Sequence, residues 1–140
     1  MVVCTLIFTF TPRTIAEDVT WASKKSMPTA RSNLAAVSVD QKIYAIGGYV
    51  YTDRKYIATS IVEVYDTLSD TWIIGKPLPI ASGLVGAVAI EKKIYVLAGE
   101  TSQFFVFDVI KSEWTELAKL PAAANTGSFG MASIGNKIYV

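Results

Sequence analysis

The stretch Lys42-Ile43-Tyr44-Ala45-Ile46-Gly47-Gly48 returns as Lys93-Ile94-Tyr95-Val96-Leu97-Ala98-Gly99 and begins again as Lys137-Ile138-Tyr139-Val140. Each copy is a run of β-branched and aromatic residues suited to a strand buried on at least one face. The two complete copies end in glycine, where backbone must turn or approach other chain closely.

Aligning the chain on this stretch brings other residues into step. Trp21, Trp72 and Trp114 recur at intervals of 51 and 42, as do Met27-Pro28, Leu78-Pro79 and Leu120-Pro121. Tyr65-Asp66 stands before Trp72 as Phe107-Asp108 stands before Trp114. The difference between the two periods falls in one loop, Gly48 to Val64, which is nine residues longer than Gly99 to Val106. Each unit reads as four strands. The first covers 33–39, 84–90 and 128–134; the second is the opening stretch; the third covers 61–65 and 104–107; the fourth surrounds each tryptophan. Asp40-Gln41, Glu91-Lys92 and Gly135-Asn136 leave two-residue connections suited to tight hairpins. Asp66 and Asp108 open the turns before the fourth strands, where an aspartate accepts hydrogen bonds from nearby amides. No stretch has helical periodicity.

Units of this length, each a small sheet able to bury its faces only against its neighbours, point to radial repetition. With Gly47, Gly48, Tyr65 and Trp72 echoed by Ala98, Gly99, Phe107 and Trp114, the chain resembles kelch repeats, the blades of a kelch β-propeller. The expected fold is therefore all-β: a partial kelch-type propeller of four-stranded antiparallel blades, too few to close alone. Its divisions would be 1–16, a signal peptide or an N-terminal strand; 17–26, an outer strand around Trp21; 27–77 and 78–119, two whole repeats; and 120–140, part of a third. The resemblance puts the first strand of each blade innermost and the fourth outermost, with Trp72 and Trp114 filling space between blades. It also implies that Val140 is a truncation point, or that copies associate through unpaired blades.

Composition narrows the function. Hydrophobic residues make up 51% and charged residues 18%, against about 25% charged in an average soluble domain, with no sign of disorder. Thirteen basic and 12 acidic residues are scattered with no run of more than two of one sign, which leaves no basic stripe for nucleic acid. Cys4 is the single cysteine and has no partner for a disulfide or a structural zinc site. Val2 to Phe10 is apolar, but only Met1 precedes it. The segment reads equally as a signal peptide cut after Ala16 or as an alternating strand. Location follows from that choice: secreted or periplasmic with a signal, cytoplasmic without one. No apolar run approaches the roughly 20 residues of a membrane-spanning helix.

The absence of histidine removes imidazole chemistry and histidine metal sites from this segment, and no phosphate-binding loop or nucleophile elbow is present. Asp53, Glu63, Asp66 and Asp70 read as ordinary residues of a loop, an exposed strand face and a turn. No catalytic residue, cofactor or metal is expected. Binding falls to the long loop, where Tyr49, Tyr51, Asp53, Arg54 and Tyr56 combine aromatic surface with charge. Arg31 joins them because the resemblance matches it to an arginine that faces the ligand in some peptide-binding relatives, where a guanidinium holds a carboxylate. The expected function is a non-catalytic interaction module for a protein, a peptide or a glycan. The alternative is a fragment of a secreted or periplasmic enzyme, of sugar-acid mutarotase or oxidase type, whose catalytic residues lie on other blades.

Overall fold

The computed structural model describes residues 21–121 and 129–140. The expectations placed on residues 1–16, Cys4 among them, and on the first part of the segment 17–26 lie outside them. Twelve strands run in order: β1 Ala35–Val39, β2 Lys42–Ile46, β3 Tyr49–Thr52, β4 Lys55–Ala58, β5 Val62–Asp66, β6 Thr71–Ile74, β7 Val85–Ile90, β8 Lys93–Ala98, β9 Gln103–Asp108, β10 Glu113–Leu117, β11 Ala132–Ile134 and β12 Lys137–Tyr139. The described residues contain no helix, and so none long and apolar enough to cross a membrane.

Two four-stranded antiparallel sheets, β1-β2-β5-β6 and β7-β8-β9-β10, form two blades, and β11-β12 is half of another. Among the described residues the blades do not close into a ring, as the repeat pattern leads one to expect. β1 lies against β7, and β7 against β11, so the first strands line up beside one another at the expected inner position. Their small residues, Ala36, Gly86 and Ala87, suit that approach: a Cβ on Gly86 would stand 2.4 Å from the Phe129 ring. The two-residue connections hold, with Asp40, Glu91 and Gly135 in left-handed backbone at φ 54°, 54° and 58°.

The core lies between the blades. Tyr44, Ile46, Val62 and Val64 of the first blade meet Ile94, Val96, Phe105 and Phe107 of the second, with Leu78 of the connecting segment beside them. Strand pleating explains the selection: Tyr44 pairs with Val64, Ile46 with Val62, and Val96 with Phe105, and directly paired residues share a face. Trp114 packs against this core and donates Nε1–H to the Lys76 carbonyl at 3.2 Å. Trp72 makes the same bond one blade earlier, to the Lys25 carbonyl at 2.9 Å. Each indole therefore ties a fourth strand to the segment that leads into its blade.

The outer strand expected around Trp21 is absent from the described residues. Residues 21–27 carry no strand, and the Trp21 side chain is 95% exposed. Among the described residues no strand pairs with this segment. The segment instead runs as a strap over the outer face of the first blade.

The turns before β6 and β10 are built as expected. Asp66 Oδ1 accepts the amides of Leu68 and Ser69 at 2.9 and 3.1 Å, and Asp108 Oδ1 those of Ile110 and Lys111 at 3.0 and 2.9 Å. These backbone bonds hold both carboxyls below the usual aspartate range. In the first blade Tyr65 adds a hydroxyl bond to Asp70 at 2.6 Å, which pushes its phenol up to about 12 and lowers Asp70. The tyrosine's contribution to stability is complete below its unfolded value of 10 and lost as pH rises towards 12. The Asp70 contribution is present above its unfolded value of 3.8 and lost as pH falls below it. Thermal unfolding followed against pH is therefore expected to decline between pH 10 and 12, and Tyr65→Phe should remove much of that alkaline decline.

Candidate functional site

The long loop after β2 is a second, smaller sheet. β3 and β4 pair antiparallel, Tyr49 with Ala58, Val50 with Ile57, Tyr51 with Tyr56 and Thr52 with Lys55. Asp53 and Arg54 make the two-residue turn, both in left-handed backbone at φ 49° and 59°, the geometry of a primed hairpin turn. One face of this hairpin carries Tyr49, Tyr51 and Tyr56 together. The Tyr51 and Tyr56 rings lie 4.9 Å apart between centroids, and Tyr49 meets Tyr56 edge-on at 6.3 Å.

Hydrogen bonds to both blades fix the hairpin in place. On one side Tyr49 and Ser32 exchange backbone bonds of 2.8 and 2.9 Å; on the other, Gly48 N–H donates to the Ser82 carbonyl at 2.9 Å and Ser82 N–H to the Thr59 carbonyl at 3.2 Å. Gly47 and Gly48 make this junction with φ of 61° and 99°. A Cβ on Gly48 would meet the Ser32 carbonyl oxygen at 2.5 Å, so the close approach requires glycine. In the second blade Ala98 simply continues β8, and Gly99 serves closeness rather than turning: a Cβ there would stand 2.3 Å from Phe129.

Tyr49 completes the anchorage. Its ring covers Gly83, where a Cβ would fall 2.0 Å from the ring, and its hydroxyl donates to Glu100 of the second blade. That bond raises the Tyr49 phenol above its ordinary value. Glu100 also accepts the Gly83 amide at 3.1 Å. Tyr51 and Tyr56 remain 60% and 67% exposed. Beside them Ser32, Asn33, Tyr49 and Tyr56 line an open cleft of about 640 Å³. Five of the residues singled out in the sequence, Tyr49, Tyr51, Asp53, Arg54 and Tyr56, thus share one hairpin.

Arg31 is placed differently. It precedes Ser32 at the hairpin base, but its side chain is fully buried and turned into the blade. One terminal nitrogen donates to Glu63 Oε2 at 2.6 Å and the other to the Ala45 carbonyl at 3.0 Å, while Nε has no partner. Glu63, read from the sequence as a residue of a loop or exposed face, is only 2% exposed. Its Oε1 accepts both the amide and the hydroxyl of Thr29, at 3.1 and 2.7 Å. The strap of residues 25–31 covers this face of β5, so the carboxylate ends up inside. The sequence contains a usable sign of the pair. Glu63 occupies the repeat position of Phe105, and Arg31 that of Ser82, so both partners change between units.

No described residues form a group of three or more histidine, cysteine, aspartate or glutamate side chains placed to hold a metal. Comparison with known proteins agrees with the architecture. The Kelch motif family model matches residues 30–79, from the strap through the first blade to the connecting segment. The chain belongs to the kelch-repeat family.

Kelch-like protein 35 of Mus musculus is 30% identical over 121 residues, covering 86% of this chain and 20% of the relative. Kelch-like protein terF of Aspergillus terreus is 30% identical over 79% of this chain and 26% of its own length. Kelch repeat and BTB domain-containing protein 8 of Danio rerio is 34% identical over 71% of this chain and 16% of its own. The kelch chain described here thus spans about a quarter or less of these relatives. Kelch repeats serve generally as protein-interaction modules, and nothing in the comparisons favours the enzyme alternative.

Proposed function

We propose that these kelch repeats bind a protein or peptide partner through the β3–β4 hairpin and the cleft beside it. The observation that carries this reading is the exposed, paired Tyr51 and Tyr56 on a hairpin bonded to both blades. Large aromatic rings held in water on a rigid support are the side chains that concentrate binding energy at interfaces, and arginine, here Arg54 at the tip, is the other. Lys55, next to Arg54, adds a second cation at the tip. Arg31 has no part in this contact set, because its guanidinium is bonded inside the blade.

Selection of a random peptide library on the immobilised chain tests the reading. Peptides recovered from it should lose about 30-fold in affinity on Tyr51→Ala and on Tyr56→Ala, the size of a hot-spot contact. They should bind Leu68→Ser, altered at an exposed turn of the same blade, as they bind the parent. Selected peptides that bind the tyrosine variants undiminished would place the interaction elsewhere.

A further inference from the structure

A separate cavity of about 230 Å³ opens between the two blades near their outer strands. Val62, Val64, Phe107 and Val109 form its apolar wall, and the exposed Lys42 and Lys76 stand among its lining residues. Both walls belong to described whole blades, so the cavity is a property of their packing. We propose that it binds a small amphipathic carboxylate: one compact apolar body, of the size of a single aromatic ring, bearing an anionic arm.

Size, shape and charge each point to that class. A dry cavity of about 150 Å³ holds a benzene-sized ring, so 230 Å³ takes a ring with a short arm. It is smaller than the roughly 300–1,000 Å³ typical of larger ligands. Among the described residues neither lysine ion-pairs within 4 Å. Asp66 lies across the ladder from Lys42, but its Oδ1 is engaged by two backbone amides. A carboxylate between two ammonium groups forms charge-assisted bonds, while its body displaces water from apolar walls.

Gly75 keeps the space open. It extends the ladder, donating to the Val62 carbonyl at 2.8 Å, and a Cβ there would touch Val62 and Val64 at 3.0 and 3.1 Å. The repeat position equivalent to Gly75 is Leu117, and that equivalent to Lys76 is Ala118. Glycine and the second cation therefore occur together in the first unit, and neither recurs at the matching positions of the second.

Titration of the full 140-residue chain with phenylacetate, followed by nitrogen–proton correlation spectra, tests the site. Saturable shifts are expected at the Gly75 and Val109 amides and at the Trp114 indole, which is bonded to the Lys76 carbonyl. Phenylacetamide and acetate should leave these signals in place, and added salt should weaken the phenylacetate response. Lys42→Met with Lys76→Met should reduce affinity about tenfold, two partly exposed ionic contacts being removed. Gly75→Leu should abolish the shifts while the rest of the spectrum keeps its dispersion; should that variant unfold, the lysine pair alone decides. An absent response to phenylacetate, an equal response to phenylacetamide, or undiminished binding by the lysine double variant would overturn the proposal.

Discussion

Replacing Arg31 with methionine is expected to destabilise the chain by about 3–5 kcal/mol, the usual consequence of stranding one member of a buried ion pair. The loss arises at Glu63, a residue only 2% exposed, whose carboxylate would keep only Thr29 to bond it. Because the arginine itself leaves Nε unsatisfied, the pair is a poor source of net stability compared with well-packed apolar groups. Arg31→Met combined with Glu63→Leu should therefore recover most of the loss, as it removes both buried charges. Urea unfolding of the parent, both single variants and the double variant gives the coupling through a mutant cycle. A single variant within 1 kcal/mol of the parent (roughly the value of an exposed pair) would show that the guanidinium and carboxylate do not depend on each other.

The second large effect is expected at Gly48. Alanine there must adopt φ near 99° and place its Cβ 2.5 Å from the Ser32 carbonyl oxygen. Left-handed backbone costs a residue with a Cβ about 1–2 kcal/mol, and relieving the contact breaks the exchange of bonds between Ser32 and Tyr49, at about 1 kcal/mol each. A destabilisation of about 3–4 kcal/mol should result, with the hairpin displaced. Gly99→Ala provides the contrast: it lacks the left-handed backbone, and its obstacle is the Phe129 ring. Paired with Phe129→Leu, it should regain stability in the same unfolding assay, whereas no side-chain trimming rescues Gly48→Ala.

The repeating strands were legible because the same buried faces are built twice from the same residue types. Tyr44, Val64 and Phe107 alternate with neighbours on the other face of the sheet in a period that pleating enforces, and Trp72 and Trp114 mark each fourth strand. The hairpin was not legible as one, although Tyr49, Tyr51 and Tyr56 alternate correctly on either side of Asp53-Arg54. Arginine is a poor former of left-handed turns, and the bonds that fix the turn's flanks come from Ser32 and Ser82, distant in sequence. Arg31 illustrates a different limit. Its residue type and position suit a surface carboxylate as well as a buried one, and only the strap laid over β5 decides between them. The differences between repeats were more informative than each residue alone: Tyr65 with Asp70 becomes Phe107 with Ser112, so donor and acceptor vanish together.

The anchorage of the hairpin also affects the entropy of any encounter at its tyrosines. A loop of its length would ordinarily have to surrender conformational freedom on contact, and that loss would subtract from affinity. Here the ordering is already supplied by Ser32 on one blade and by Ser82, Gly83 and Glu100 on the other. The same arrangement makes the surface dependent on its foundation: the aromatic face persists only while the two blades stay together, so the apolar core between them is also what keeps the face ready.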